Sequence, residues 1–153
     1  MTSIGAALPS ADTTTGAPSL DAPVFRGPTV QDLLAVRPQI ESALVYANGC
    51  YTFDDIVGMV LSGRVQFWWR GQSIILTEVV NHPRKRVLVP LLAAGNQEDL
   101  KVMAAGVEMW AVAQGCSEVW LTGRKGWLRS FLKDDGWEQD DKITLHRALG
   151  RAR

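Results

Sequence analysis

The chain of 153 residues is 46% hydrophobic and 21% charged, enough apolar material for one domain's core, which excludes a wholly disordered protein. Sixteen Lys and Arg balance sixteen Asp and Glu, so no global field draws nucleic acid or an anionic membrane. The longest apolar stretch, Val87 to Ala94, falls well short of the roughly 20 residues that span a bilayer, and no secretory leader is visible. Cys50, Cys116, His82 and His146 fall in no metal-ligand spacing, so no metal is expected, and cytoplasmic synthesis with reduced thiols is.

Residues 1–24 are mostly Ser, Thr, Ala, Pro and Gly with Asp12 and Asp21 as the only charged side chains, too little apolar area to offset ordering entropy. They read as an N-terminal arm, residues 1–27, ahead of a folded domain over residues 28–153. The arm is expected to lie extended along another subunit, with apolar contacts from Ile4, Leu8 and Leu20.

Thr29 can cap a helix carrying Val30, Leu33, Leu34 and Val36 at helical spacing. Pro38 kinks or restarts it, and Ile40, Ala43, Leu44 and Ala47 continue the stripe to Asn48-Gly49. Thr52 ahead of Asp54 and Asp55 opens a second helix through Ile56, Val57, Val60 and Leu61, ended by Ser62-Gly63. Strands are predicted over Val65–Arg70 and Ser73–Val80 around a Gly71-Gln72 turn. A third, Arg86–Leu92, contains Pro90, which cannot donate to a ladder, so a bulge or splay is expected there. Asn96 or Asp99 caps the longest helix, whose Leu100, Met103, Val107 and Trp110 should face the sheet before the Gly115 stop. Glu118–Leu121 reads as a strand, Trp127–Lys133 as a short helix, and Trp137 opens a last hairpin whose second strand is Ile143–Leu149.

From Arg86 onward this order resembles the GCN5-related N-acetyltransferase fold. The best local matches are Gly115-Cys116-Ser117-Glu118-Val119-Trp120-Leu121 and Phe131-Leu132-Lys133-Asp134-Asp135-Gly136-Trp137. The resemblance implies an α+β domain in which a mixed central β-sheet is flanked by helices, here with an extended N-terminal arm. It also implies where acetyl-CoA would be held, on a glycine-rich loop at the start of the long helix. The matching stretch, Ala93-Ala94-Gly95-Asn96-Gln97-Glu98-Asp99, has one glycine and no basic residue before Lys101. Gly95, Asn96 and Gln97 are the candidate cofactor-binding residues if CoA binds. Glu98 and Asp99 suit a helix start but repel phosphate.

The family's proton-donating tyrosine falls at Leu132, which has no proton to give, and its asparagine at Lys125. A base would have to be Glu78, His82 or His146, each more simply a surface or turn residue, so no catalytic residue is assigned. Trp68-Trp69 should place one ring on each face of a strand. Trp110, Trp120 and Trp137 read as core, and Trp127, after Thr122-Gly123-Arg124-Lys125-Gly126, as exposed. Tryptophan and arginine together anchor protein interfaces, so Arg124, Lys125 and Trp127 are the expected partner contacts beyond the arm. The run His82-Pro83-Arg84-Lys85-Arg86 lacks interleaved aromatics and reads as a solvated turn, not a specific nucleic-acid site. Cys50 and Cys116 read as small buried hydrophobes.

The degenerate loop and the missing tyrosine favour a non-catalytic structural or assembly protein without a cofactor. Small virion proteins of short-tailed bacteriophages carry acetyltransferase-like domains of this kind, and by analogy the chain is expected in a virion, bound to other virion proteins. The alternative is an acetyl-CoA-dependent N-acetyltransferase with an atypical CoA loop.

Overall fold

Two threonines start helices by the same device. The computed structural model describes residues 5–6 and 27–150 of the chain. In α1 (Val30–Ala35), Thr29 Oγ1 accepts from the Asp32 amide at 3.3 Å and the Asp32 carboxylate accepts from the Thr29 amide at 2.8 Å. Pro38 has no N–H to give an interior turn, so it sits in the first turn of a new helix, α2 (Arg37–Leu44), joined to α1 through Val36. Helix α3 (Phe53–Leu61) repeats the reciprocal cap with Thr52 and Asp55, at 3.2 and 2.8 Å.

The sheet runs β1 (Gly5–Ala6), β2 (Val65–Arg70), β3 (Ser73–Asn81), β4 (Arg86–Ala94) and β5 (Glu118–Val119), in that spatial order. The first four pair antiparallel; β5 returns parallel to β4 through α4 (Gln97–Ala113), as a parallel return through a crossover helix requires. The α+β architecture with a mixed sheet and flanking helices is therefore as expected.

Side chains alternate along β2, and both faces of the sheet are covered. Val65 and Phe67 join Leu33, Ile40, Ile56, Ile74 and Leu76 in a core under α1–α3. Trp68 and Ile75 join Leu88, Leu100, Met103, Val107 and Ala111 in a second core under α4. This is why consecutive tryptophans are both accommodated: Trp68 is buried against α4 and half-buried Trp69 packs toward α1–α3, stacked on Phe67 with centroids 5.0 Å apart. Between β2 and β3, the buried Thr77 Oγ1 accepts from Trp68 Nε1 at 3.0 Å and donates to Gln66 Oε1 at 2.9 Å, satisfying three polar groups inside the second core.

Several expectations are corrected. Gly5 and Ala6 pair with Trp69 and Trp68 at the edge of the chain's own sheet, which differs from an arm lying wholly along another subunit. Ile4, Leu8 and Leu20 lie outside the described residues. The last hairpin does not form: residues 137–150 hold no helix or strand, and Ile143, Leu145 and Leu149 are exposed. Only two residues of β5 are in the ladder, too short a template for a seven-residue strand. The helix expected over Trp127–Lys133 is two 3-10 turns, Lys125–Arg129 and Phe131–Asp134. They break at Ser130, whose Oγ donates to the Trp127 carbonyl at 2.7 Å and accepts from the Leu132 amide at 3.3 Å. Trp110 is half-buried, not core, because its ring meets Trp68 edge-on at 5.4 Å from the rim of α4. Trp120 is exposed beside His82 and Lys85, and Trp127 is half-buried against the second core. Cys50 is exposed in the turn ahead of α3.

Candidate functional site

Pro90 shapes the site, and the irregularity expected of it is present. Thr77 pairs with Pro90 and Leu76 with Leu92, so Leu91 has no partner across the ladder and β4 bulges. Leu91 and Leu92 consequently turn toward the same core, under α1–α3. On the other side, β5 pairs with β4 only at Val87–Glu118 and Leu88–Val119. The Trp120 amide makes a last bond to the Leu88 carbonyl at 2.9 Å, and the chain then leaves. The outer edge of β4 from Val89 to Ala94 has no strand neighbour among the described residues. A cleft of about 350 Å³ opens there, walled by Pro90–Gly95, by Leu121–Arg124 with Trp127, and by Tyr46.

Gly95, Asn96 and Gln97 form the junction of β4 and α4, and Gly95 lines the cleft. Gly95 has φ 134, and a Cβ there would lie 2.1 Å from Ser73 Oγ, so the strand end approaches β3 only as glycine. Asn96 is the N-cap: its Oδ1 accepts from the Asp99 amide at 2.8 Å, and its own amide donates to Ser73 Oγ at 3.3 Å. A helix start presents four amides without intrahelical acceptors; this cap satisfies the Asp99 amide and does not reach those of Gln97 and Glu98.

Asp99 does not stand as a bare charge against an incoming phosphate. Its carboxylate accepts from Asn96 Nδ2 at 2.8 Å, Ser73 Oγ at 3.0 Å and Arg70 Nε at 3.2 Å. The Asn96 hydrogen bond above all, then Ser73 and Arg70, holds its carboxyl below the ordinary carboxylate range, against the opposing effect of desolvation. Of the two charges that the sequence counts as repulsive, Asp99 is paired with Arg70, while Glu98 is exposed on the first turn of α4.

The other candidates fall as follows. Leu132 is buried in the second 3-10 turn, and Lys125 is exposed in the first. Glu78 pairs with Arg64 at 3.3 Å, away from the cleft wall. His82 lies in the β3–β4 turn, tilted on Trp120 at 5.3 Å, and His146 is exposed in the C-terminal segment; neither lines the cleft. Lys85 of the basic run is paired with Glu118 of β5. Burial pushes the Cys116 thiol up, partly offset by Arg86, which disfavours its thiolate. Arg124 and Trp127 do line the cleft, and the Arg124 guanidinium lies 4.3 Å over the ring of Tyr46. Tyr46 has no counterpart among the sequence candidates. It sits past the apolar stripe of α2, and nothing in linear spacing ties it to a loop beyond β5.

No protein-family model matches the chain, and no curated protein matches it in sequence. Solved structures do match its fold. An aminoglycoside acetyltransferase from an uncultured soil metagenomic sample, in complex with sisomicin, superposes with a TM-score of 0.65 at 9% identity, over 97% of this chain and 97% of its own. A GCN5-related N-acetyltransferase from Ralstonia eutropha JMP134 gives 0.57 at 11% identity, over 78% and 95%. An aminoglycoside N-acetyltransferase in complex with CoA gives 0.59 at 10% identity, over 79% and 91%. The fold is thus of the GCN5-related N-acetyltransferase type. These neighbours correct two expectations. They are acetyltransferases and one holds CoA, so the reading as a non-catalytic virion scaffold, and with it the expectation of no cofactor, is set aside. Among the described residues, no helix is long and apolar enough to cross a membrane.

Proposed function

We propose that the protein is an acetyl-CoA-dependent N-acetyltransferase that acetylates an amine. The observation that carries this reading is the parting of β4 from β5 beside the bulge at Leu91. It leaves a strand edge with unpaired peptide groups along one wall of a narrow cleft. Such an edge accepts an extended amide-bearing chain as an added strand would be accepted, and the two amides of pantetheine suit it. Pro90, Leu91, Leu121 and Trp127 give the cleft apolar walls for the intervening carbons. The Gln97 and Glu98 amides at the start of α4 suit the pyrophosphate. When bound, acetyl-CoA supplies an activated thioester.

The chain's own contribution is binding and orientation. Leu132 offers no proton, and the histidines and Glu78 lie off the cleft; among the described lining residues the phenol of Tyr46 is the side chain that could give one. Thiols have ordinary pKa values of about 8.5, so a thiolate can leave near neutral pH without a general acid. A reaction run without a positioned acid is slower by about 10²–10⁴-fold than one that has it.

Calorimetry with CoA and acetyl-CoA, followed by thiol release on adding a panel of primary amines, tests the reading. A dissociation constant of about 1–100 µM and amine-dependent thiol release are expected. No heat with millimolar CoA would overturn it.

A further inference from the structure

The start of α4 presents backbone amides but no side-chain cation for a doubly anionic pyrophosphate. Lys101 lies beyond the first turn, and Arg70 is engaged with Asp99. Among the described residues lining the cleft, Arg124 carries the one cationic side chain. We infer that Arg124 is the cleft's pyrophosphate anchor, parked on Tyr46 in the unliganded protein and transferred to the phosphates when CoA binds. The inference rests on the CoA binding proposed above.

The geometry suits a side chain that swings on a fixed base. The Arg124 backbone is extended, with φ −69 and ψ 157, and its carbonyl accepts from the Trp127 amide at 3.1 Å. Gly123 lies so close to the Trp127 ring that a Cβ would meet Cδ1 at 2.7 Å, which seats the loop on a residue packed against the second core. The side chain itself is exposed, and its one contact among those described is the ring of Tyr46 on the facing wall. A cation–π contact at an exposed site is weaker than a bidentate guanidinium–phosphate pair, so the exchange runs toward the ligand. Arginine suits both positions because its planar fork stacks on a ring and matches two phosphate oxygens; a lysine ammonium does only part of each.

The test is calorimetry on the full chain with CoA, dephospho-CoA and pantetheine, using the wild type, Arg124→Ala and Arg124→Lys. Arg124→Ala should weaken CoA and dephospho-CoA alike by about 10–100-fold, the loss expected for a charge-assisted pair, and leave pantetheine unchanged. Arg124→Lys should fall between, and it carries the comparison if the alanine variant does not fold. Equal CoA affinity in wild type and variants would overturn the inference while leaving the acetyltransferase reading intact. An equal loss for pantetheine, or a loss confined to CoA over dephospho-CoA, would also overturn it. The first would mark a wall contact and the second a 3′-phosphate contact. Failure of the wild type itself to bind CoA would overturn the proposed function, and the inference with it.

Discussion

Gly95 and Ser73 approach so closely that a Cβ on Gly95 would lie 2.1 Å from Ser73 Oγ and 2.7 Å from Ser73 Cα. The backbone there, at φ 134, is one that L side chains rarely adopt. Gly95→Ala should therefore cost about 3 kcal/mol, from strain and clash together, measured by urea unfolding. A loss under about 1 kcal/mol would show that the β4–α4 junction is not held as described.

The buried hydroxyl of Thr77 is shared by Trp68 and Gln66. Thr77→Val keeps the shape and removes both bonds, leaving an indole N–H and an amide oxygen without a partner away from water. The expected destabilisation is about 2–4 kcal/mol. Trp68→Phe in the same background should recover part of it, since the stranded donor is then gone.

Acid should act through Asp99. Its folded pKa lies below the ordinary 3.8, so its contribution to stability is fully present above that value and is lost as pH falls through the lower, folded one. Asp99→Asn should lower the urea midpoint at neutral pH. The gap to wild type should close as pH is taken below the ordinary carboxylate value. A constant gap across that range would mean that the loss comes from shape rather than charge.

Met103 and Trp110 share the sheet-facing side of α4 but not the same burial. Met103 is 0% exposed in the second core, and Met103→Ala should cost about 2–5 kcal/mol. Trp110 Nε1 is buried without a hydrogen-bond partner, so Trp110→Phe removes an unsatisfied donor and should change stability by less than about 1 kcal/mol. Thermal and urea midpoints of the two variants would separate the cases.

Among the described residues no histidine or carboxylate lines the cleft, so under the proposed acetyl transfer the acceptor would arrive as the neutral amine. The rate at limiting acceptor should then rise with pH up to the acceptor's own pKa. Two amines whose pKa values differ by about two units should give profiles displaced by the same amount. A profile that breaks at one fixed pH for both amines would reveal a base on the protein.

Much of the fold was legible because it rests on local chemistry. Threonine ahead of aspartate produced the caps at Thr29 and Thr52, and Pro38 divided α1 from α2. Pro90 marked the bulge, and the period of Leu100, Met103 and Val107 marked the buried side of α4. The site was legible only in part. Gly95 and Asn96 were identified at the β4–α4 junction, but the sequence counts Asp99 as a repulsive charge because it does not show Arg70 across the sheet edge.

By itself, the sequence determined where α1 to α4 begin, where β4 must break its ladder, and that a glycine-bearing junction leads into α4. Each of these depends on backbone donors, fixed φ values or side chains within about four residues. Tertiary structure alone decided that Asp99 is paired, that Tyr46 and Arg124 meet across the cleft, and that Ile143–Leu149 forms no strand. Those outcomes depend on which distant surfaces meet. Coulombic pairing, ring stacking and strand pairing act through space, so charge and alternation along the chain cannot specify them without the partner's position.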